Sequence, residues 1–248
     1  MKQTWNAQQY QENASFVAEL GKPVLSLLEP KPNETILDLG CGDGILTEKI
    51  SKLCSQVKAI DSSESMIESA LSRGLDAVLM SGTDIIYRNR FDAVFTNATL
   101  HWISDQDALL NGVYKCLVDQ GRFVGEFGGR GNIQTLISAV EDVVKRNPDM
   151  GTFSNPWYFP SVDEYKNKLQ ENGFQINSIK LIPRPTPLQT GVKEWLKIFT
   201  NYIIADMPKK LEQSFLCEVE NAVREKLYSD ERGWVADYVR LRFHASKI

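Results

Sequence analysis

The sequence contains few of the residues that build metal centres or disulfide frameworks. Its 248 residues include two histidines, His101 and His244, and four cysteines, none of them in a Cys-x-x-Cys pair. Because a zinc site needs about four clustered His, Cys or acidic ligands, we expect no metal. Scattered cysteines in a chain without a secretion signal are typical of reduced thiols, which predicts a cytoplasmic protein.

Long apolar runs and an excess of positive charge are also missing. No run approaches the ~20 apolar residues that cross a bilayer, and the first residues, MKQTWNAQQYQEN, are polar, unlike a signal peptide. The chain carries 28 Lys and Arg against 32 Asp and Glu, a net charge of −4. This balance disfavours nucleic acid and anionic lipid as partners. We therefore expect no nucleic acid, no membrane, and a monomer or dimer.

Segments of strand and helix character alternate through the first two thirds of the chain. Short apolar runs predict six strands, and the amphipathic stretches between them predict helices. The six runs are residues 35–39, 57–60, 77–80, 92–96, 122–127 and 174–181. Such alternation is typical of an α/β fold whose parallel sheet has helices on both faces.

The last third of the chain follows a different pattern. Pro183, Pro185 and Pro187 are expected to end the sixth strand, because proline cannot donate to a sheet ladder. Residues 192–228 predict helices, and residues 235–244 predict a final strand. We expect a Rossmann-like, doubly wound, mostly parallel seven-stranded sheet, with the last strand antiparallel and a helical insertion before it.

The loop between the first strand and the first helix has the sequence DLGCGDG, residues 38–44. Gly40 and Gly42 allow positive φ and a close approach of the backbone to a ligand, and the helix that follows presents unpaired N–H groups. Asp61 ends the second strand, where a carboxylate can accept both hydroxyls of a ribose. Since ligands of open α/β sheets bind beyond the carboxyl ends of the strands, these residues predict a nucleotide-like ligand.

The glycine spacing separates two kinds of nucleotide-like ligand. Dinucleotide dehydrogenases favour GxGxxG, whereas here the glycines alternate at 40, 42 and 44 and Asp38 stands two residues before the first of them. This DxGxGxG pattern resembles the motif of class I S-adenosylmethionine-dependent methyltransferases. In that family the loop holds a methionine moiety and a ribose rather than a pyrophosphate.

The resemblance covers much of the chain. It extends to WNAQQY at 5–10, NATLHW at 97–102 and GRFV at 121–124. The segment FPSVDEY at 159–165 is similar to the branch of type 11 methyltransferases that contains trans-aconitate methyltransferase and the carboxyl methyltransferase of malonyl-acyl-carrier protein. The motifs are specific for the cofactor and much less so for the substrate.

The resemblance implies that the glycine loop holds the methionine part of S-adenosyl-L-methionine, with S-adenosyl-L-homocysteine as the product. Asp38 would lie beneath the sulfonium end and order the loop. Gly40, Cys41 and Gly42 would contact the methionine part through the backbone. Asn97 would meet the methionine ammonium group through its carbonyl.

The same resemblance implies the contacts to adenosine. Asp61 would take the ribose, while Ser62 and Met66 would flank the adenine. After the third strand the family commonly has an Asp followed by a small residue, which holds the adenine amino group. Here Ser81-Gly82 stands at that place, so either Ser81 makes a weaker contact or Asp84, three positions on, substitutes for it.

The resemblance also implies a floor and a lid for the cofactor. Leu100 and His101 would line the floor, and Tyr10 would belong to the lid. His101 has two open roles: a general base for a hydroxyl or phenol, or a structural residue beside Trp102, which we favour. A carboxylate acceptor is already ionised at neutral pH and needs no base, so positioning and desolvation would supply most of the rate.

The acceptor is expected to lie among the N-terminal segment, residues 152–160 and the inserted helices. Arg130 and Arg184 are candidates for holding an acid, because arginine pairs carboxylates in bidentate fashion. Seven aromatic residues are candidates either for the walls of this site or for the core. They are Phe153, Trp157, Tyr158, Phe159, Trp195, Phe199 and Tyr202.

We therefore expect a methyltransferase that acts on a small-molecule acceptor, by O-methylation of a carboxylate on a small or carrier-bound acid. Two alternatives stay open: a nicotinamide-dependent oxidoreductase, and a non-catalytic regulatory protein that binds the same cofactor. The chain is expected to form a single domain, 1–248, with N-terminal lid helices at 1–30, a cofactor-binding core at 31–182, a helical cap at 188–230 and a final strand at 233–248.

Overall fold

The computed structural model describes residues 21–205 and 207–248, which form an eight-stranded sheet flanked by helices. The strands are β1 (Thr35–Leu39), β2 (Gln56–Asp61), β3 (Ala77–Leu79), β4 (Phe91–Asn97), β5 (Leu117–Gly128), β6 (Phe174–Pro187), β7 (Tyr228–Ser229) and β8 (Gly233–Lys247). The helices are α1 (Lys22–Leu28), α2 (Ile45–Ser51), α3 (Glu64–Ser72), α4 (Gln106–Cys116), α5 (Gln134–Arg146), α6 (Val162–Glu171), α7 (Gly191–Phe199), α8 (Asn201–Ile204) and α9 (Lys209–Leu227). Short 3-10 helices lie at Leu100–Trp102 and Pro148–Met150.

The strand order is β3-β2-β1-β4-β5-β8-β6, and β7 pairs with the start of β8. Neighbouring strands from β3 to β5 are parallel, whereas β8 is antiparallel to both β5 and β6. The predicted doubly wound, mostly parallel sheet with an antiparallel last strand is confirmed, and the two-residue β7 adds an eighth strand. Because the order reverses between β1 and β4, a crevice opens at their carboxyl ends.

Apolar side chains cover both faces of the parallel strands. Ile36 of β1 packs with Ile50 of α2 on one face, while the next residue, Leu37, packs in the same cluster as Leu109 of α4 on the other. Burial on both faces explains why these strands have continuous apolar runs in the sequence. The packing holds the ends of β1, β2 and β4 in fixed positions around the crevice.

The prediction that three prolines end the sixth strand is wrong. β6 continues through Pro183 and Pro185 to Pro187, each paired with a residue of β8. Successive residues of a strand point their N–H groups to opposite sides, so prolines at every second position lack donors on one side only. β6 is the edge strand of the sheet, and no strand of the described part of the chain lies on that side.

The helical insertion between β6 and β8 is built from α7, α8 and α9. Trp195 of α7 and Phe215 of α9 pack in one buried cluster with Val140 of α5 and Tyr238 of β8. Pro208 occupies the N-cap position of α9, where a helix makes no use of the N–H group that proline lacks. The predicted helices at 192–228 are therefore confirmed.

Some expectations fall on residues 1–20, which lie outside the described part of the chain. These include Tyr10 and most of the N-terminal lid. The division of the chain into lid, core, cap and final strand stays a prediction. Within residues 21–205 and 207–248, no helix has both the length and the apolar character needed to span a membrane.

Candidate functional site

A cavity lies beyond the carboxyl ends of β1, β2 and β4, where the strand order reverses. One end is formed by the loops that follow these strands, and the other by side chains of residues 101–102, of Trp157 and Phe159, and of α7 and β8. Most residues predicted to bind the cofactor line this cavity. They are Asp38, Gly40, Cys41, Gly42, Asp61, Ser62, Met66, Ser81, Gly82, Asn97 and His101.

The DLGCGDG loop needs glycine at two positions for different reasons. Gly40 has a φ of 73°, and a Cβ atom there would lie 2.1 Å from Cγ2 of Thr99. Gly42 has a φ of 55°, and no heavy atom lies within 4 Å of the place that its Cβ would take. Gly40 thus lets the loop pack against the segment after β4, while Gly42 leaves its backbone open to a ligand in the cavity.

Asp61 holds the glycine loop from the end of β2. Its Oδ2 accepts the N–H of Gly42 at 3.0 Å, and its Oδ1 accepts the N–H of Ser63 at 2.9 Å. Burial raises the pKa of Asp61, and the backbone hydrogen bonds, including one from Ser62, act in the opposite direction. Since a carboxylate offers about four acceptor positions, it retains capacity for a hydroxyl group of a ligand.

Asp38 is a buried acid in the wall of the same cavity. Its Oδ2 accepts the hydroxyl of Thr47 at 2.6 Å. Burial raises the pKa of Asp38 to about 7 against the opposing hydrogen bond from Thr47, and the negative charge of Asp61 adds to the rise. A cationic ligand nearby would stabilise the ionised form of this carboxyl group.

The structure separates the two candidates for the adenine amino group. Ser81 lines the cavity, and its hydroxyl lies 2.8 Å from Oγ1 of Thr83 and accepts the Thr83 N–H at 3.2 Å. Asp84 is exposed and is not among the residues that line the cavity. The local shift that would let Asp84 substitute for Ser81 is therefore not observed.

The segment after β4 contacts the glycine loop through a residue that the sequence analysis missed. The Thr99 hydroxyl is 3.1 Å from the carbonyl oxygen of Gly40 and 3.1 Å from that of Asn97. Asn97 itself lines the cavity, as expected. Leu100 does not: it is fully buried in the core between the sheet and α4, because the 3-10 helix turns its side chain away from the cavity.

His101 borders the cavity with one ring nitrogen already occupied. Its Nδ1 accepts the backbone N–H of Gly128 at 3.2 Å. Burial lowers the pKa of His101 well below its usual range, and the positive charge of Arg240 lowers it further. The ring is therefore neutral, and because a backbone N–H can only donate, the ring proton is on Nε2.

The arginines predicted to hold an acid do not line the cavity. Arg130 is exposed and pairs with Glu164 at 3.1 Å. Arg184 pairs with Glu126, which is buried and also accepts Arg242 at 2.6 Å. Arg130 and Arg184 therefore both take part in ion pairs outside the cavity.

Arg240 of β8 is the arginine that lines the cavity, and sequence reasoning missed it. It is 6% exposed, and its guanidinium lies 4.7 Å from the ring centre of Tyr238. The sequence contained an indication of this role, because Ala236, Tyr238 and Arg240 share one face of a strand. A cationic side chain is rarely found on a buried face unless it interacts with another charged or polar group.

Aromatic side chains form the walls around His101 and Arg240. Of the seven predicted aromatic residues, Phe153, Tyr158 and Tyr202 do not line the cavity. The other four do, together with three that were not predicted, one of which is Phe95 of β4. Apart from Phe95, the aromatic lining residues are Trp102, Trp157, Phe159, Trp195, Phe199 and Tyr238. With His101 and Arg240 they make up what we call the aromatic end of the cavity.

The loop end of the cavity fits S-adenosylmethionine. The space beside the Gly42 backbone is open, and a Cβ atom would occupy it. Asp61 has acceptor capacity for a ribose, and Asp38 offers a carboxyl group to a cation. Within the described ranges, no cluster of three or more His, Cys, Asp or Glu is placed to hold a metal ion.

Comparisons with known sequences agree with this fit. Residues 37–125 match the family described as methyltransferase domain. The uncharacterized methyltransferase C70.08c of Schizosaccharomyces pombe is 34% identical over 266 aligned residues, which cover 98% of each chain. A malonyl-acyl-carrier-protein O-methyltransferase of Bacillus cytotoxicus is 34% identical over 53% of this chain and 50% of its own. A trans-aconitate 2-methyltransferase of Mycolicibacterium gilvum is 35% identical over 43% of this chain and 42% of its own.

Solved structures show the same architecture. Phosphoethanolamine N-methyltransferase 2 of Haemonchus contortus, in complex with S-adenosylhomocysteine and phosphomonomethylethanolamine, has a TM-score of 0.61 over 97% of this chain and 56% of its own. At 16% identity this likeness shows the fold alone. The evidence for the family is the relative that matches almost the whole chain, together with the glycine loop and the sheet order. The chain belongs to the class I S-adenosylmethionine-dependent methyltransferases.

Proposed function

We propose that this enzyme transfers the methyl group of S-adenosylmethionine to a carboxylate oxygen of a small or carrier-bound acid. The observation that carries the proposal is the hydrogen bond from Gly128 to Nδ1 of His101, with the positive charge of Arg240 close enough to lower the pKa of the ring. Two relatives are named for acidic substrates, malonyl-acyl-carrier protein and trans-aconitate, which supports the same class of acceptor.

The state of His101 disfavours acceptors that must lose a proton. Nδ1 is held by Gly128, and Nε2 carries the hydrogen of the neutral ring. The ring can therefore donate a hydrogen bond to a ligand, but neither nitrogen is available as a general base. A hydroxyl or an amine that must be deprotonated gains little from such a residue, whereas a carboxylate is already ionised at neutral pH.

The remaining residues of the aromatic end bind and desolvate the acceptor. Arg240 offers a planar cation that suits a carboxylate. Trp157 and Phe159 stack with their ring planes 6° apart, and walls of this kind exclude water from the reacting atoms. When bound, S-adenosylmethionine supplies an electrophilic methyl group on a positively charged sulfur. Fixing the acceptor in the right orientation is then the main task of the protein.

Our assignment of the cofactor contacts rests on the lining of the loop end. Asp61 binds the ribose and Asp38 lies at the sulfonium end. The other proposed contacts are Ser62, Met66, Ser81 and Gly82 at the adenine, and Gly40, Cys41, Gly42 and Asn97 at the methionine part.

Product analysis tests the proposal directly. The purified protein is incubated with isotope-labelled S-adenosylmethionine and matched panels of acids, alcohols and amines, and products are identified by mass spectrometry. We expect methyl esters, which mild base hydrolyses back to the acids. Methylation of alcohols or amines while the acids stay unmodified would refute the proposal.

Two substitutions of His101 separate a hydrogen-bond donor from a general base. His101→Asn keeps an acceptor for the Gly128 N–H but removes the donor at Nε2, whereas His101→Gln keeps a donor near Nε2. We expect kcat/KM for an acid to fall less in the glutamine variant than in the asparagine variant. A general base would instead give a loss of about 100-fold or more in both variants.

A further inference from the structure

Asn132 lies in the wall of the cavity, in the loop between β5 and α5. Its side chain is buried, and the residue as a whole is 2% exposed. Its Oδ1 accepts the backbone N–H of Val239 at 2.9 Å. Because a backbone N–H can only donate, the oxygen of this amide has to face Val239, and the NH2 group points the other way. Asn132 therefore offers a hydrogen-bond donor on the side opposite β8.

The loop that carries Asn132 is fixed to β8 by its backbone. The N–H of Gly129 donates to the carbonyl of Val239 at 3.0 Å, and the N–H of Ile133 donates to the carbonyl of Asp237 at 2.9 Å. Asn132 also closes a turn inside the loop, since its own N–H donates to the Gly129 carbonyl at 2.9 Å. A donor held in this way binds a ligand with little further loss of conformational freedom.

Gly128 brings the NH2 group of Asn132 close to His101. The N–H of Gly128 donates to Nδ1 of His101 at 3.2 Å. Nδ2 of Asn132 lies 2.8 Å from the place that a Cβ atom of Gly128 would take, and the ring of Phe159 reaches the same place. His101, Asn132 and Phe159 all line the cavity, so they meet at Gly128 beside its aromatic end.

Both polar side chains at this meeting point present N–H groups. The neutral ring of His101 carries its proton on Nε2, because Nδ1 accepts from the backbone. Nδ2 of Asn132 carries two hydrogens, and no acceptor within residues 21–205 and 207–248 is bonded to it. Two neutral donors side by side suit a ligand atom with several lone pairs, such as a carboxylate oxygen.

From these contacts we propose that Asn132 and His101 form a donor pair that binds one carboxylate oxygen of the acceptor and thereby selects acids. The second oxygen stays free to attack the methyl carbon. The electron pair of the broken C–S bond remains on sulfur, and no proton has to be removed. The inference rests on the proposed carboxylate methylation and deepens it, because it names the residues that recognise the reacting group.

The donor pair acts on binding more than on the transfer of the methyl group. The bound oxygen carries more negative charge in the carboxylate than in the ester, so its hydrogen bonds are at least as strong before the transfer as during it. Removal of a donor should therefore raise KM more than it lowers kcat. A residue that only supports the fold would show no such division.

Aspartate at position 132 separates the donor from the bond that holds the loop. Asn132→Asp keeps an oxygen for the N–H of Val239 but replaces the NH2 group by a second carboxylate oxygen, which repels an acid. With trans-aconitate as the probe at pH 8, we expect kcat/KM to fall about 100-fold while the affinity for S-adenosylhomocysteine is unchanged. Asn132→Ala removes both groups, so it should lower kcat/KM about tenfold and also lower the melting temperature.

Asn177→Asp is the matched control. It makes the same substitution at an exposed position of β6 that does not line the cavity. Oδ1 of Asn177 likewise accepts a hydrogen bond, from the Ser246 hydroxyl at 3.2 Å, and aspartate can keep that bond. We expect kcat/KM for trans-aconitate to be unchanged in this variant.

A titration that needs no turnover tests the donor pair in the unmodified protein. The sequence has two histidines, and His244 does not line the cavity, so its NMR signal is an internal reference. Acetate is added to the 15N-labelled complex with S-adenosylhomocysteine. It should shift the Nε2 signal of His101 and the NH2 signal of Asn132 with one dissociation constant. In Asn132→Asp, acetate should bind about tenfold more weakly or worse.

The outcomes distinguish this inference from the function on which it rests. Acetate that moves neither signal, or that binds as tightly to Asn132→Asp as to the unmodified protein, would overturn the inference. Methylation of trans-aconitate with equal kcat/KM in both proteins would also overturn it and leave carboxylate methylation standing. Methylation of alcohols or amines while acids stay unmodified would overturn the proposed function itself.

Discussion

Raising the pH from 6 to 8 should strengthen the binding of S-adenosylmethionine about tenfold relative to that of S-adenosylhomocysteine. The reason is Asp38, whose pKa burial raises to about 7. A carboxyl group with that pKa is roughly one-tenth ionised at pH 6 and nine-tenths ionised at pH 8. Only the ionised form attracts a sulfonium, so affinity for the cation rises with pH, and a tenfold change corresponds to about 1.4 kcal/mol.

The ratio of the two ligands isolates this effect. They share the adenosine and amino-acid parts, so the titration of those groups cancels, and they differ in the charge on sulfur. Calorimetric titrations of both ligands at several pH values measure the ratio. Asp38→Asn should make it independent of pH. Thr47→Val removes the hydrogen bond that lowers the pKa of Asp38, so it should move the midpoint above that of the unmodified protein.

A constant ratio in the unmodified protein, or the same slope in Asp38→Asn, would refute the placement of the sulfonium beside Asp38. Stability measurements check the pKa separately. Because folding raises the pKa of Asp38 from its usual value of 3.8 to about 7, the native state binds the proton more tightly than the unfolded state. The free energy of unfolding relative to Asp38→Asn should therefore fall as the pH rises through this window.

Three further predictions concern the loop and the buried ion pairs. Gly42→Val should keep the fold, at a cost of about 1–2 kcal/mol for its positive φ, but it should lose cofactor binding. Gly40→Val should lower the melting temperature more, because the new side chain meets Thr99. Circular dichroism measures the melting temperatures and calorimetry measures cofactor binding. Asp61→Ala should lower cofactor affinity by ~1.5–3 kcal/mol, and unchanged affinity in calorimetry would place the ribose elsewhere. Glu126→Gln removes a buried charge that two half-buried guanidiniums share, so urea denaturation should show a loss of about 3 kcal/mol.

The features that were predicted correctly depend on neighbouring residues. Apolar runs and glycine spacing predicted the parallel strands and the loop that begins at Asp38, because burial on both faces and positive φ are local requirements. The prolines of β6 were misjudged because a strand tolerates Pro185 only at the edge of a sheet, and its position in the sheet depends on β8, which follows some 50 residues later. Leu100 was wrongly predicted to line the cavity, because the direction of its side chain is decided by a three-residue 3-10 helix that the sequence pattern does not reveal.

The sequence by itself determined that a nucleotide-like ligand binds, since one loop and one acid at the ends of two adjacent strands are enough for that, and the resemblance of the loop to class I methyltransferases implied the cofactor. Only the tertiary structure decided which side chains face the acceptor. Arg184 forms an ion pair with Glu126, which is 58 positions away in the sequence. Nδ1 of His101 accepts the backbone N–H of Gly128, which is 27 positions away. These pairings depend on how strands and helices pack, so residue type alone could not show that Arg240 reaches the cavity while Arg184 does not.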